Sequence, residues 1–117
     1  MSEVPLSSQL QEELVRLQQL QQTYQVITTQ RQQLEGERIE VEKAFNELKK
    51  MDDEAIVYKS IGTILVNSNR RTLIEELTER KDLLEMRIKV LTRQQERAEE
   101  RLKELQQKVQ QRLKNSS

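Results

Sequence analysis

An apolar residue returns at nearly every seventh position along both flanks of this chain, and that repeat limits what the chain can become. In the first part, Leu6, Leu20, Ile27, Leu34, Val41 and Leu48 form one series, interrupted by Glu13. Leu10, Leu17, Tyr24 and Phe45 form a companion series, interrupted by Arg31 and Arg38. In the last part, Ile74, Lys81, Ile88, Gln95, Leu102 and Val109 make up one series, and Leu77, Leu84, Leu91, Ala98 and Leu105 the other. Two interleaved seven-residue series place one narrow apolar stripe on a helix, which is the coiled-coil pattern. A stripe so narrow cannot enclose a compact core, so each helix has to bury it against another helix.

The spacing predicts helices over about 8–50 and 70–114, with short disordered termini, in a single unit of 117 residues. Ser8 followed by Gln11 fits a capping box just after Pro5. Lys49 and Lys50 suit the negative end of the first helix dipole. The second helix can be capped by Asn69, or by Thr72 with Glu75, and Asn69 is preferred. At 1.5 Å per residue each helix would be roughly 65 Å long. Two helices of nearly equal length with a short connector favour antiparallel pairing. Arg38 and Lys81 then need carboxylates close by, and Glu35, Glu42, Asp82 and Glu85 are candidates. Gly36 falls on the outward side of the first helix, where it costs about 1 kcal/mol relative to alanine.

The connector is not a plain helix-to-helix turn. Residues 55–67 are rich in β-branched and aromatic side chains, with Ile61-Gly62 at their centre. Glycine supplies the positive φ of a tight turn, and the segment is expected to form a β-hairpin. With a two-residue turn, Tyr58 faces Leu65 and Val57 faces Val66; a bulged turn shifts that pairing by one. Ile56, Tyr58 and Leu65 would lie on one face, and Val57, Ile64 and Val66 on the other. A lone two-stranded hairpin is marginal in water and has two open edges. The helices can cover one face at most. Several chains joining their hairpins would bury the rest, which makes Ile56, Val57, Tyr58, Ile64, Leu65 and Val66 candidate oligomerisation residues. The alternative is a hairpin folded back on its own helix ends in a monomer.

Composition narrows the function. The chain has no Cys and no His, which removes thiol chemistry and most zinc sites. No catalytic, cofactor-binding or metal residues are expected. Tyr24 and Tyr58 read as seam and hairpin residues, not as proton donors. The formal net charge is zero, whereas nucleic-acid binders usually carry a basic excess. No apolar run is long enough to span a membrane, and Met1-Ser2-Glu3-Val4-Pro5 lacks a signal pattern, so a soluble cytoplasmic protein is expected.

The segment Val57-Tyr58-Lys59-Ser60-Ile61-Gly62-Thr63-Ile64-Leu65-Val66, set between two coiled-coil helices, resembles the central hairpin of beta-class prefoldin subunits. The stretch Leu77-Thr78-Glu79-Arg80-Lys81-Asp82-Leu83-Leu84-Glu85-Met86-Arg87-Ile88 is similar to the start of that family's second helix, and Arg93-Gln94-Gln95-Glu96-Arg97 is also similar. The likeness covers nearly the whole chain, with the archaeal form favoured. It implies a mostly α fold: a long antiparallel two-helix coiled coil with a central β-hairpin that assembles into an oligomeric β-barrel. It also implies a hetero-hexamer of two prefoldin alpha subunits and four beta subunits. Members capture unfolded proteins on their coil tips and pass them to a group II chaperonin without using ATP. Carried onto this sequence, the residues contacting non-native polypeptide would be Leu6, Leu10, Leu14, Val15, Leu105, Val109 and Leu113. Leu14, Val15 and Leu113 are the stronger candidates for exposed contact, because the others fit the seam. Three other readings compete: a helical-hairpin scaffold without client capture, a nucleic-acid-binding helical arm, and an enzyme, the last disfavoured because long coils make few pockets.

Overall fold

The computed structural model describes the backbone of residues 4–116 and the side chains of residues 8–115. The element order is α1 (Val4–Lys49), β1 (Val57–Ile61), β2 (Ile64–Ser68) and α2 (Arg70–Ser116). The elements fall into two compact units. One holds α1 up to Arg31 together with α2 from Val90; the other runs Gln32–Lys89 and contains the strands.

In the first unit the seam is closed from α2 by Ala98, Leu102, Leu105 and Val109, all buried. From α1 it is met by Leu10, Leu17, Leu20, Tyr24 and Ile27, all half-buried. The interruptions at Arg31 and Gln95 are not faults in this seam. Arg31 Nη1 donates to Gln95 Oε1 (2.8 Å), and Gln95 Nε2 donates to Thr28 Oγ1 (3.2 Å). Thr28 Oγ1 in turn donates to the Tyr24 carbonyl (2.8 Å). Both ends of the Gln95 amide are therefore satisfied, which removes most of the cost of placing it at a seam position.

In the second unit Leu84 is fully buried, with Leu48 and Ile88 close to it in burial. Leu34, Val41, Phe45, Ile74 and Leu77 are half-buried on the same stripe. Arg38 takes a carboxylate from its own helix, Glu35, at 2.8 Å, one of the partners the sequence offered. Across the seam Arg80 Nη2 donates to Glu37 Oε2 (2.6 Å). Arg70, the first residue of α2, closes the chain reversal. Its guanidinium donates to the Leu48 carbonyl (2.6 Å), to Asp53 (2.8 Å) and to the Lys49 carbonyl (3.4 Å). Those two carbonyls sit at the end of α1, where helical acceptors lack intrahelical donors. The C-terminus of one helix is thus capped by the first side chain of the next.

Asn69 caps α2 as expected, accepting from Thr72 N at 2.9 Å. The first helix starts earlier than expected. It is already helical at Val4, so Ser8 lies inside it and not at its cap. Pro5 is compatible with this, because first-turn amides have no intrahelical acceptor to lose. The second helix runs to Ser116, two residues beyond the expected end. The remaining terminal residues lie outside the described part.

The strands pair antiparallel, with Lys59 opposite Val66, Ser60 opposite Leu65 and Ile61 opposite Ile64. The turn is therefore Gly62-Thr63, one position later than Ile61-Gly62. Gly62 has φ +58°, and no other described residue has a positive φ. Glycine at the first turn position with a negative φ at the second is the type II′ arrangement. The expected placement would have put Ile61, a β-branched residue, at the position that needs positive φ. The pairing shifts by two residues as a result. Side chains alternate with a period of two, so the faces stay as expected: Tyr58 and Leu65 on one, Val57, Ile64 and Val66 on the other.

Gly36 is exposed within unbroken helix, and a Cβ added there meets nothing within 4 Å. Replacing Gly36 with Ala is expected to raise unfolding stability by about 1 kcal/mol. Urea titration should show a higher midpoint with an unchanged slope.

Candidate functional site

Two apolar surfaces stand out, one in each unit. The first is the hairpin. Ile56, Tyr58, Ile61, Ile64 and Leu65 are each at least half exposed, and Val66 is 39% exposed. Soluble chains rarely leave so many large apolar side chains together in water. Val57 differs from its neighbours. It is only 7% exposed, so its own chain already covers it. It lies beside a groove of about 570 Å³ lined by Leu48, Met51, Leu73 and Leu77 among others. Lys59, on the same face as Val57, is fixed to Glu76 of α2 by a 2.8 Å ion pair. One end of this face is thus held against the start of α2, while Ile61 and Ile64 remain open.

Of the six hairpin residues expected at a subunit contact, Ile56, Tyr58, Ile64, Leu65 and Val66 are available on the surface, and Val57 is not. Ile61 was missed. The sequence reading put it in the turn, whereas the type II′ geometry places it at the end of β1 with its side chain exposed.

The second surface lies in the first unit, at the end carrying both termini. Leu14, Val15 and Leu113 are 44%, 55% and 50% exposed. Leu10 is half-buried, and Leu105 and Val109 are buried in the seam. Leu6 lies outside the residues whose side chains are described. Expected contact residues therefore divide into three that face solvent and three that close the coil. Beside them Arg112, at the seam position after Leu105, forms an ion pair with Glu13 and donates to Gln9 Oε1 at 3.1 Å.

Among the described residues no three carboxylates converge as metal ligands do, and no helix is long and apolar enough to cross a membrane. Paired helices bearing a single, largely uncovered β-hairpin define a class of coiled-coil proteins with an apolar two-stranded sheet. Comparison with known proteins makes this specific. The pattern described as prefoldin subunit matches residues 11–116. The chain is 48% identical to the prefoldin subunit beta of Archaeoglobus fulgidus, over 94% of this chain and 93% of that one. It is 42% identical to the prefoldin subunit beta of Methanothrix thermoacetophila, over 92% and 90%. The crystal structure of the prefoldin beta subunit from Thermococcus strain KS-1 is similar, with a TM-score of 0.81 and 36% identity over 88% and 90% of the two chains. The chain belongs to the prefoldin family of chaperones and is of its beta-subunit type.

The contrast between Val57 and Leu65 can be read in urea unfolding. Val57→Ala should destabilise by about 2 kcal/mol at every protein concentration, because its burial is within the chain. Leu65→Ser should leave single-chain unfolding almost unchanged, because that side chain is 71% exposed and has little cover within its own chain.

Proposed function

We propose that this chain is the beta subunit of a hetero-hexamer of two alpha and four beta prefoldin subunits that captures non-native polypeptides on its coil tips. The complex hands them to a group II chaperonin in the cytoplasm, with no ATP consumed by the subunit itself and no part for nucleic acid, membrane or cofactor. It acts as a binding protein, not an enzyme. The observation that carries this reading is the exposure of Leu14, Val15 and Leu113 at the terminal end of the helices, in a chain of this family. Their exposure is what a contact surface for an unfolded chain requires. An open apolar patch favours clients by hydrophobicity and not by sequence.

The uncovered hairpin supplies the second half of the argument. Ile56, Tyr58, Ile64, Leu65 and Val66 would lie in a barrel shared between subunits, burying apolar side chains and pairing open edges in one step. Assembly also changes the binding. One tip contact is weak, but several tips in one frame raise overall binding by about 10²- to 10⁴-fold when a client spans them. Individual contacts stay weak enough to release.

Replacing Leu14, Val15 and Leu113 together with Ser should reduce suppression of client aggregation severalfold. Light scattering should still show the hexamer on mixing with the alpha subunit. Unchanged suppression would remove the tip assignment. A stable monomer with and without alpha would remove the shared barrel and leave a scaffold role in its place.

A further inference from the structure

The end of the seam is built differently from the layers next to it. Leu17, Leu20, Ala98 and Leu102 make an apolar seam. Beyond them the seam positions alternate between apolar and charged: Leu10 and Glu13 on α1, Val109 and Arg112 on α2. Glu13 is drawn in with its side chain only 14% exposed, while that of Arg112 is 38% exposed. Glu13 Oε1 meets Arg112, but among the described residues Glu13 Oε2 is buried with no hydrogen-bond partner. A half-satisfied carboxylate at a seam position has given up much of its hydration for one ion pair. An apolar pair in these two places would hold the coil more firmly.

We propose that Glu13 and Arg112 form a clasp that opens in the native protein and so controls how much apolar surface the tip offers to a client. Closed, the clasp leaves Leu14, Val15 and Leu113 as the contact surface. Open, it releases Leu10, Leu105 and Val109 as well, which doubles the number of large apolar side chains presented. The burial of Leu105 and Val109 in the structure is then the closed state of a larger surface. The ionic pair makes opening easy, because it contributes little cohesion and weakens as salt rises. The inward leucines stop the opening from spreading. This inference rests on the tip-capture reading given above.

The test uses the full-length chain in its native assembly, with two variants that push in opposite directions. Arg112→Ala removes the clasp and leaves Glu13 buried without its cation. The double variant E13L/R112L replaces the clasp with an apolar layer. Hydrogen exchange is measured on amides of residues 8–17 and 103–115, and aggregation suppression on a chemically denatured model protein. Arg112→Ala should speed exchange at these amides about fivefold or more, and the double variant should slow it by a similar factor. Suppression should rise with the first variant and fall with the second. Raising the salt concentration should speed exchange in the unmodified protein and leave the double variant unchanged. Exchange that ignores both variants would overturn the clasp, whatever suppression does. Exchange that responds while suppression does not would overturn its control of client binding. Failure of the tip reading itself would show separately, as unchanged suppression in the Ser variant of Leu14, Val15 and Leu113.

Discussion

Burial of one apolar stripe against another is the interaction on which everything else in this chain depends. Neither helix has a second apolar face broad enough to form a core with anything but its neighbour. At about 25 cal/mol per Å² of apolar surface, such a seam gains stability in proportion to its length, so each polar interruption has to be neutralised locally. The structure does this in three ways. Gln95 spends both ends of its amide on Arg31 and Thr28. Arg38 takes a carboxylate one turn away. Glu13 and Arg112 take each other.

The second constraint is that a seam of this kind cannot stabilise a β-hairpin. Val57 is buried within its own chain and Glu76 of α2 fixes Lys59, while the rest of the apolar hairpin stays in solvent. The Arg70 guanidinium is well placed to hold the chain reversal rigid, because it joins α1, the loop at Asp53 and α2 through one side chain. A rigid base under the hairpin would lower the entropy lost in the barrel assembly proposed above. Membership in the prefoldin family fits that arrangement, and the same logic explains why the hairpin carries its large apolar residues on both faces.

Much of this was legible in the sequence, for physical reasons that also explain the misses. The seven-residue spacing located the seam as far as Leu105 and Val109, with Glu13, Arg31, Arg38, Lys81 and Gln95 as its polar positions, but it was not carried on to Arg112. Asn69 was readable as a cap from its side chain alone. The start of α1 was misread because Ser8 makes a plausible cap and Pro5 a plausible stop, yet proline is equally at home in a first turn. The hairpin register was off by two because glycine was assigned to the second turn position instead of the first, and the exposed Ile61 was lost with it. The burial of Val57 could not be read from alternation. It depends on contacts with α1 and α2 that alternation does not encode. At the tip, membership of the seam separated Leu105 and Val109 from Leu14, Val15 and Leu113, but the ion pair at Glu13 needed coordinates.

The type II′ turn at Gly62-Thr63 has a consequence for how this hairpin can vary in length. Its two faces are kept by parity and not by any particular pairing. Lengthening or shortening the strands by two residues would leave Tyr58 and Leu65 on their present side. A single inserted residue in either strand would send every side chain beyond it to the opposite face, setting Lys59 or its neighbours against a new environment. Related chains should therefore differ in this segment by even steps, or absorb odd ones as a bulge.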